Sequence, residues 1–186
     1  MRITVKTGII SAFCWIALKM SFFYFGLFED SIKAGVLTNI LGVLIAISIG
    51  LFLQKLRDTE ETNALLDMKN AMSAGVPYVV MVSIFIYFFY AKINPEFDRH
   101  QIAENEVAIE KMVNDPVQLK KFRSEMEDAE VMTKEEIEKK LKDSNIQGAS
   151  PGFRSTLSVL ALLVLATLYS ILVTIIYRQV VFKPRT

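Results

Sequence analysis

The sequence predicts an all-α integral membrane protein, and three observations carry that expectation. Four stretches of the 186-residue chain, 5–28, 36–53, 71–90 and 157–177, are almost purely apolar. Each is continuous over about 20 residues, the length a helix needs to cross a ~30 Å hydrocarbon core, whereas barrel strands alternate over ~10 residues. One hydrophilic segment, 92–152, separates the third run from the fourth. The expected architecture is a single membrane domain over 1–186. It has four transmembrane helices and a helical extramembrane insert between the third and fourth.

The first run follows Arg2 and Lys6, as a signal peptide would, but it is longer than a signal core and no small-residue cleavage site follows, so it reads as a retained span. Cys14 is the only cysteine, which excludes an intrachain disulfide. Phe13 is too bulky for a lipoprotein processing site, and Cys14 reads as a small buried hydrophobe. Apart from Lys6 at the margin, Lys19 is the only charge in any of the four runs. A central lysine costs about 2.5–3.5 kcal/mol on insertion scales. Lys19 therefore either snorkels to the outer interface or meets a lipid headgroup or anionic solute. No Asp, Glu or His lies in the four runs to pair with it, and Asn39 is its candidate hydrogen-bond partner.

The second run places Thr38, Gly42, Ala46 and Gly50 four residues apart, on one helix face. Small side chains there let a second backbone approach closely. That face serves either packing within the bundle or a homo-oligomer. A weaker version, Ala166, Ser170 and Thr174, occurs in the fourth run. The polar stretch 59–70 reads as a turn or amphipathic helix leading into the third run, where Gly75 and Pro77 predict a kink or a late helix start. Tyr24, Tyr78, Tyr87, Tyr90 and Tyr177 lie where interfacial aromatics are expected.

Charge sets the expected orientation. Arg2 and Lys6, then Lys55, Arg57 and Lys69, then Arg178, Lys183 and Arg185 flank the runs on one side, against Glu29, Asp30 and a single Lys33 on the other. The positive side is the one not translocated, so both termini are expected in the cytoplasm of a bacterial inner membrane, with 92–152 outside. That insert holds ten Lys/Arg and fourteen Asp/Glu, and the whole chain carries only +1, so there is no electrostatic case for nucleic acid.

The insert reads as helical, with helices expected near 95–113, 116–130 and 134–144. Asn94-Pro95 and Asp115-Pro116 look like capped helix starts, and Thr133 with Glu136 has capping-box spacing. Leu119, Phe122 and Met126, then Ile137 and Leu141, recur at helical spacing. Gly148, Ser150, Pro151 and Gly152 break the pattern before the last run. The only histidine, His100, stands without other ligands and reads as solvated, as does the acidic run Glu125, Glu127, Asp128 and Glu130. No catalytic, metal or cofactor motif stands out, so the residues point to a non-enzyme without cofactor. The function expected is a structural or interaction role through the insert, with a protein partner there and the lipid bilayer around the spans. The alternative is a small transporter or channel component acting as an oligomer.

Three passages carry a family resemblance: Ala71-Met-Ser-Ala-Gly75 ahead of the aromatic run Tyr87-Phe-Phe-Tyr90, the exit Asn94-Pro95-Glu96-Phe97, and Val131-Met-Thr-Lys-Glu-Glu-Ile137. Together they resemble the bacterial membrane family known as domain of unknown function 4199. The resemblance implies a four-span inner-membrane protein of Bacteroidota-type bacteria with a charged helical insert. It brings no catalytic residues.

Overall fold

The computed structural model describes residues 2–27, 32–57, 63–125 and 132–181, and these are helical nearly throughout. In chain order the helices are α1 (Ile3–Tyr24), α2 (Ile32–Arg57), α3 (Ala64–Phe88), α4 (Pro95–Asn114), α5 (Pro116–Glu125), α6 (Lys134–Ala149) and α7 (Pro151–Ile176). α3 and α7 each end in a π-helical turn, Phe89–Ile93 and Tyr177–Val181. Glu29, Asp30, Met126, Glu127, Asp128, Glu130, Val131, Lys183 and Arg185, on which several sequence expectations rest, lie outside the described residues, as does the start of the 59–70 stretch.

Four helices, Ile3–Tyr24, Ala34–Arg57, Ala64–Ile93 and Pro151–Val180, are long and apolar enough to cross a membrane. The contacts divide the chain into two compact units, Met1–Phe85 with Ser155–Thr186, and Ile86–Arg154. The first unit is a helix bundle whose interior combines small or polar residues with large ones such as Ile47, Leu51, Tyr78 and Val82. Thr4, Thr7, Gly8 and Ala12 are buried on α1; Ala71, Ala74, Gly75 and Ser83 on α3; Ala166, Ser170 and Thr174 on α7. The large side chains Phe13, Leu37, Leu160 and Leu168 point outward and are more than half exposed. A soluble monomer rarely exposes an apolar surface of that extent, whereas helices in lipid associate through small residues that bring their backbones close. A methyl group on Gly8 would overlap the Ala74 carbonyl oxygen, which shows how tightly α1 lies on α3.

α3 starts at Ala64, well before Gly75 and Pro77, so the late start considered from the sequence does not occur. Asn63 explains the early start. Its Oδ1 accepts the Leu66 N–H at 2.7 Å, and the first turn is nucleated there. Pro77 sits in the helix interior, tolerated as prolines in spans are where neighbours cover the freed carbonyl. Tyr78 is consequently not interfacial but fully buried within α3. Cys14 is likewise not buried; it lies exposed on α1.

The second unit is a set of capped helices. Val113 of α4 and Ile137 of α6 form its core, with Ile109, Met112, Leu119, Phe122, Met132 and Leu141 packed around them. Polar contacts tie α4 to α6 outside that core. Asn105 Nδ2 donates to Asn145 Oδ1 at 2.8 Å, Asn145 Nδ2 donates to the Ile102 carbonyl at 3.0 Å, and Lys142 Nζ reaches Glu110 Oε1 at 2.9 Å. Asp115 caps α5, its Oδ1 accepting the Val117 N–H at 2.9 Å. Thr133 and Glu136 form a complete capping box at α6. Asn94 does not cap α4 with its side chain; its N–H is spent on the Phe89 carbonyl at 2.8 Å, closing the π-helical turn. α6 runs through Gly148 to Ala149, and Gly152 lies inside α7, so the expected break narrows to Ser150. Its hydroxyl donates to the Gln147 carbonyl at 2.7 Å and accepts the Phe153 N–H at 3.3 Å, ending one helix and starting the next.

Candidate functional site

A buried carboxylate with two cationic partners lies where α2 and α7 end and α3 begins. Asp67, in the first turn of α3, is 1% exposed. Lys55 Nζ lies 2.8 Å from its Oδ1 and Arg178 Nη1 2.8 Å from its Oδ2. Each charge suits its helix end: the carboxylate faces the positive N-terminus of α3, and the two cations sit at the negative C-termini of α2 and α7. Tyr177 strengthens the same junction by donating its hydroxyl to the Ser48 carbonyl of α2 at 3.0 Å. The triad joins three helices through one carboxylate, and its formal sum is +1.

The sequence-selected polar residues fall elsewhere in the bundle. Asn39 is buried on α2, and its Oδ1 accepts the Tyr78 hydroxyl at 2.9 Å. Lys19 is half-buried on α1, with its ammonium 3.7 Å from where a methyl group on Gly35 of α2 would sit. The face of Thr38, Gly42, Ala46 and Gly50 meets neighbours within the chain. A methyl on Gly42 would overlap the Tyr78 hydroxyl and approach Trp15 Cδ1 at 3.4 Å, and one on Gly50 would press on Ala74 Cβ at 2.6 Å. Ala46 is fully buried, and Thr38 turns its hydroxyl to the carbonyls of Ala34 and Gly35 at 2.9 and 3.0 Å.

The second unit has its own charged centre. The guanidinium of Arg154 lies 4.3 Å over the Tyr90 ring and 5.4 Å from the Phe97 ring centroid. Its Nη2 is 3.0 Å from Asp98 Oδ1 and donates to Gln101 Oε1 at 3.2 Å. Burial pushes the Asp98 carboxyl above the usual aspartate range, with Arg154 pulling partly the other way. Cation–π contact and ion pairing hold one arginine among four neighbours, two aromatic and two polar. His100 is exposed, and among the described residues no group of three or more His, Cys, Asp or Glu is placed to hold a metal ion.

A match to the family described as Protein of unknown function (DUF4199) extends over residues 6–179. The chain belongs to the DUF4199 family. No curated protein and no solved structure shows significant similarity to it. With four spanning helices, this DUF4199 member is a multi-pass membrane protein in contact with the lipid bilayer.

Asp67 is the residue of this DUF4199 chain that sequence reasoning missed. The polar stretch 59–70 looks like a connection, so no acidic residue was expected in a spanning helix. One signal was available. Asp67 lies one turn ahead of the buried stripe Ala71, Ala74, Tyr78 and Val82, at the same helical spacing. Its partner Arg178 gave none, since it is 111 positions away along the chain.

Proposed function

We propose that this protein is an interaction protein of the bacterial inner membrane. Its four spans anchor it with both termini in the cytoplasm, and its helical insert meets a protein partner outside. The observation that carries the reading is the construction of the insert. The unit has its own apolar core, a hydrogen-bonded asparagine pair and two side-chain-capped helix starts, yet it leaves Val107, Val117 and Ile146 more than half exposed. A segment that merely joined two spans would need none of this. Orientation is supported by Arg2, Lys6, Lys55, Arg57, Lys69 and Arg178, which lie near the start of α1, the end of α2, the start of α3 and the end of α7. As an interaction protein it performs no chemistry of its own and needs no cofactor.

Crosslinking in living cells from positions on α4 and α6, with identification of the captured proteins, tests the reading. A defined protein should be captured by the full chain and lost when 104–145 is deleted. An unchanged set of co-purifying proteins after the deletion rules the reading out.

The Asp67 triad favours a second reading, a small transporter or channel component acting as an oligomer, because ionisable residues within spans often mark transport pathways. Four spans enclose a pathway only as an oligomer. Protein reconstituted in vesicles would then pass an ion or small solute, and Asp67→Asn would abolish the flux; absence of flux with the native chain removes this reading.

A further inference from the structure

Facing side chains of α1 and α2 enclose an apolar groove of about 550 Å³. It opens away from the bundle, since Ile10, Leu18, Leu41, Ile45 and Ile49 on its walls are all substantially exposed. The medium facing it is therefore hydrocarbon. Along α1 the groove runs from Thr7 to Leu18 and along α2 from Thr38 to Leu53. At 1.5 Å per residue these are about 16 and 22 Å, the scale of one extended acyl chain.

The ends of the groove differ in charge. Continued by one turn, the α1 row passes from Trp15 to Lys19 and the α2 row from Thr38 to Gly35. These two meet, with the Lys19 ammonium beside Gly35. Gly35 lies in the opening turn of α2, where the helix presents its positive end. None of the residues lining the groove is charged, so the slot is apolar along its length and cationic at one end. The Trp15 indole N–H adds a third feature. It is buried with no acceptor among the described residues, although its side chain lines the groove. Trp15 is one turn, about 6 Å, deeper than Lys19. The ester carbonyls of a glycerophospholipid lie at a comparable depth beneath its phosphate.

We propose that the α1–α2 groove binds an anionic glycerophospholipid, with one acyl chain in the slot, the phosphate against Lys19, and an ester carbonyl within reach of the Trp15 N–H. Thr7, Ser11 and Thr38, small residues on the lining, leave room for a chain, and Lys19 selects the headgroup. The lysine that stood apart in the sequence thereby acquires a role in lipid selection. The inference does not depend on the partner of the insert.

The chain carries its own probes, because Trp15 is its only tryptophan and Cys14, also on the groove wall, its only cysteine. The protein is reconstituted into phosphatidylcholine vesicles containing a minor fraction of lipid with brominated acyl chains, either phosphatidylglycerol or phosphatidylcholine. Brominated phosphatidylglycerol should quench Trp15 at about fivefold lower concentration, the selectivity one lysine supplies towards an anionic lipid. Lys19→Gln should abolish the difference and Lys19→Arg retain it. Should Lys19→Gln fail to fold, competition on the native chain decides: unbrominated phosphatidylglycerol should restore the fluorescence, and no restoration overturns the proposal. Equal quenching by the two lipids, or an undiminished preference in Lys19→Gln, also overturns it. So does ready Cys14–Cys14 disulfide formation in the vesicles, which would place a second copy of the chain in the groove.

Discussion

A single carboxylate can hold three helices only if its removal and the removal of its partners have very different consequences. Asp67 is almost fully buried, Lys55 is 14% and Arg178 41% exposed in their side chains. Stranding the carboxylate is the expensive event, because a buried charge without a partner costs about 3–5 kcal/mol. Lys55→Met combined with Arg178→Met should therefore destabilise the bundle by about that amount in detergent unfolding. Adding Asp67→Leu should recover much of the loss, since an apolar replacement of the whole group is often neutral. Failure of the third substitution to recover any stability would mean the triad does not act as an ion-paired unit. The Tyr78 hydroxyl poses a smaller problem of the same kind. Gly42→Ala should be destabilising because the methyl meets that hydroxyl, and Tyr78→Phe should relieve part of the penalty while losing about 0.6–1.7 kcal/mol from the Asn39 hydrogen bond. A double-mutant cycle measures the coupling, and strictly additive effects would contradict the geometry. Neither arrangement was legible residue by residue. The sequence offers Asn39 as a partner for Lys19 and Tyr78 as an interfacial aromatic; their pairing with each other is a tertiary fact that no local pattern encodes.

Elements were legible where their signals are local. Thr133-Lys-Glu-Glu136 announces a helix start within four residues, and both capping-box hydrogen bonds form. Asn94-Pro95 carries the same kind of signal, but the π-helical turn before it claims the backbone and leaves the side chain out of the cap. α3 shows the opposite limit: composition hides its first turns, and Asn63 starts the helix inside a stretch that reads as a connection. The insert also contains two carboxyls that respond to acid in opposite ways. Hydrogen bonds from the Thr133 N–H and hydroxyl hold Glu136 below the usual glutamate range. Its contribution is present above the ordinary glutamate pKa and is lost as pH falls through the lowered folded value. Asp98 is raised by burial, so the folded form binds a proton more readily than the unfolded chain, and its penalty shrinks as pH falls through the raised value towards the ordinary aspartate pKa. Mild acidification should thus raise amide protection factors around Phe97–Gln101 before stronger acid lowers those at Lys134–Ile137. Protection falling in both places together would refute the assignment. Thr133→Ala should bring the α6 loss on at neutral pH.

At the scale of the whole molecule, hydropathy made the membrane class plain, because a run of about 20 apolar residues has few alternatives. What it could not convey is which apolar side chains turn into the bundle and which face outward, since both kinds count as apolar. Two valines test that distribution. Val164 on α7 is 59% exposed and Val117 on α5 is 77% exposed. In water the two would be equivalent. Val164→Arg should cost about 2.5–3.5 kcal/mol of membrane insertion, while Val117→Arg should stay within about 0.5 kcal/mol. Insertion of each variant, read by protease protection or membrane abundance, would show whether the exposed faces of α7 and α5 meet different solvents. The Asp67 triad has a further consequence, in time. Arg178 is made 111 residues after Asp67, an interval of about 5–20 s at cellular rates of synthesis. Lys55 has already been made by then, so throughout that interval it is the only member of the pair available to the carboxylate. The ribosome therefore delivers a half-built clasp first, and α7 carries the piece that closes it last.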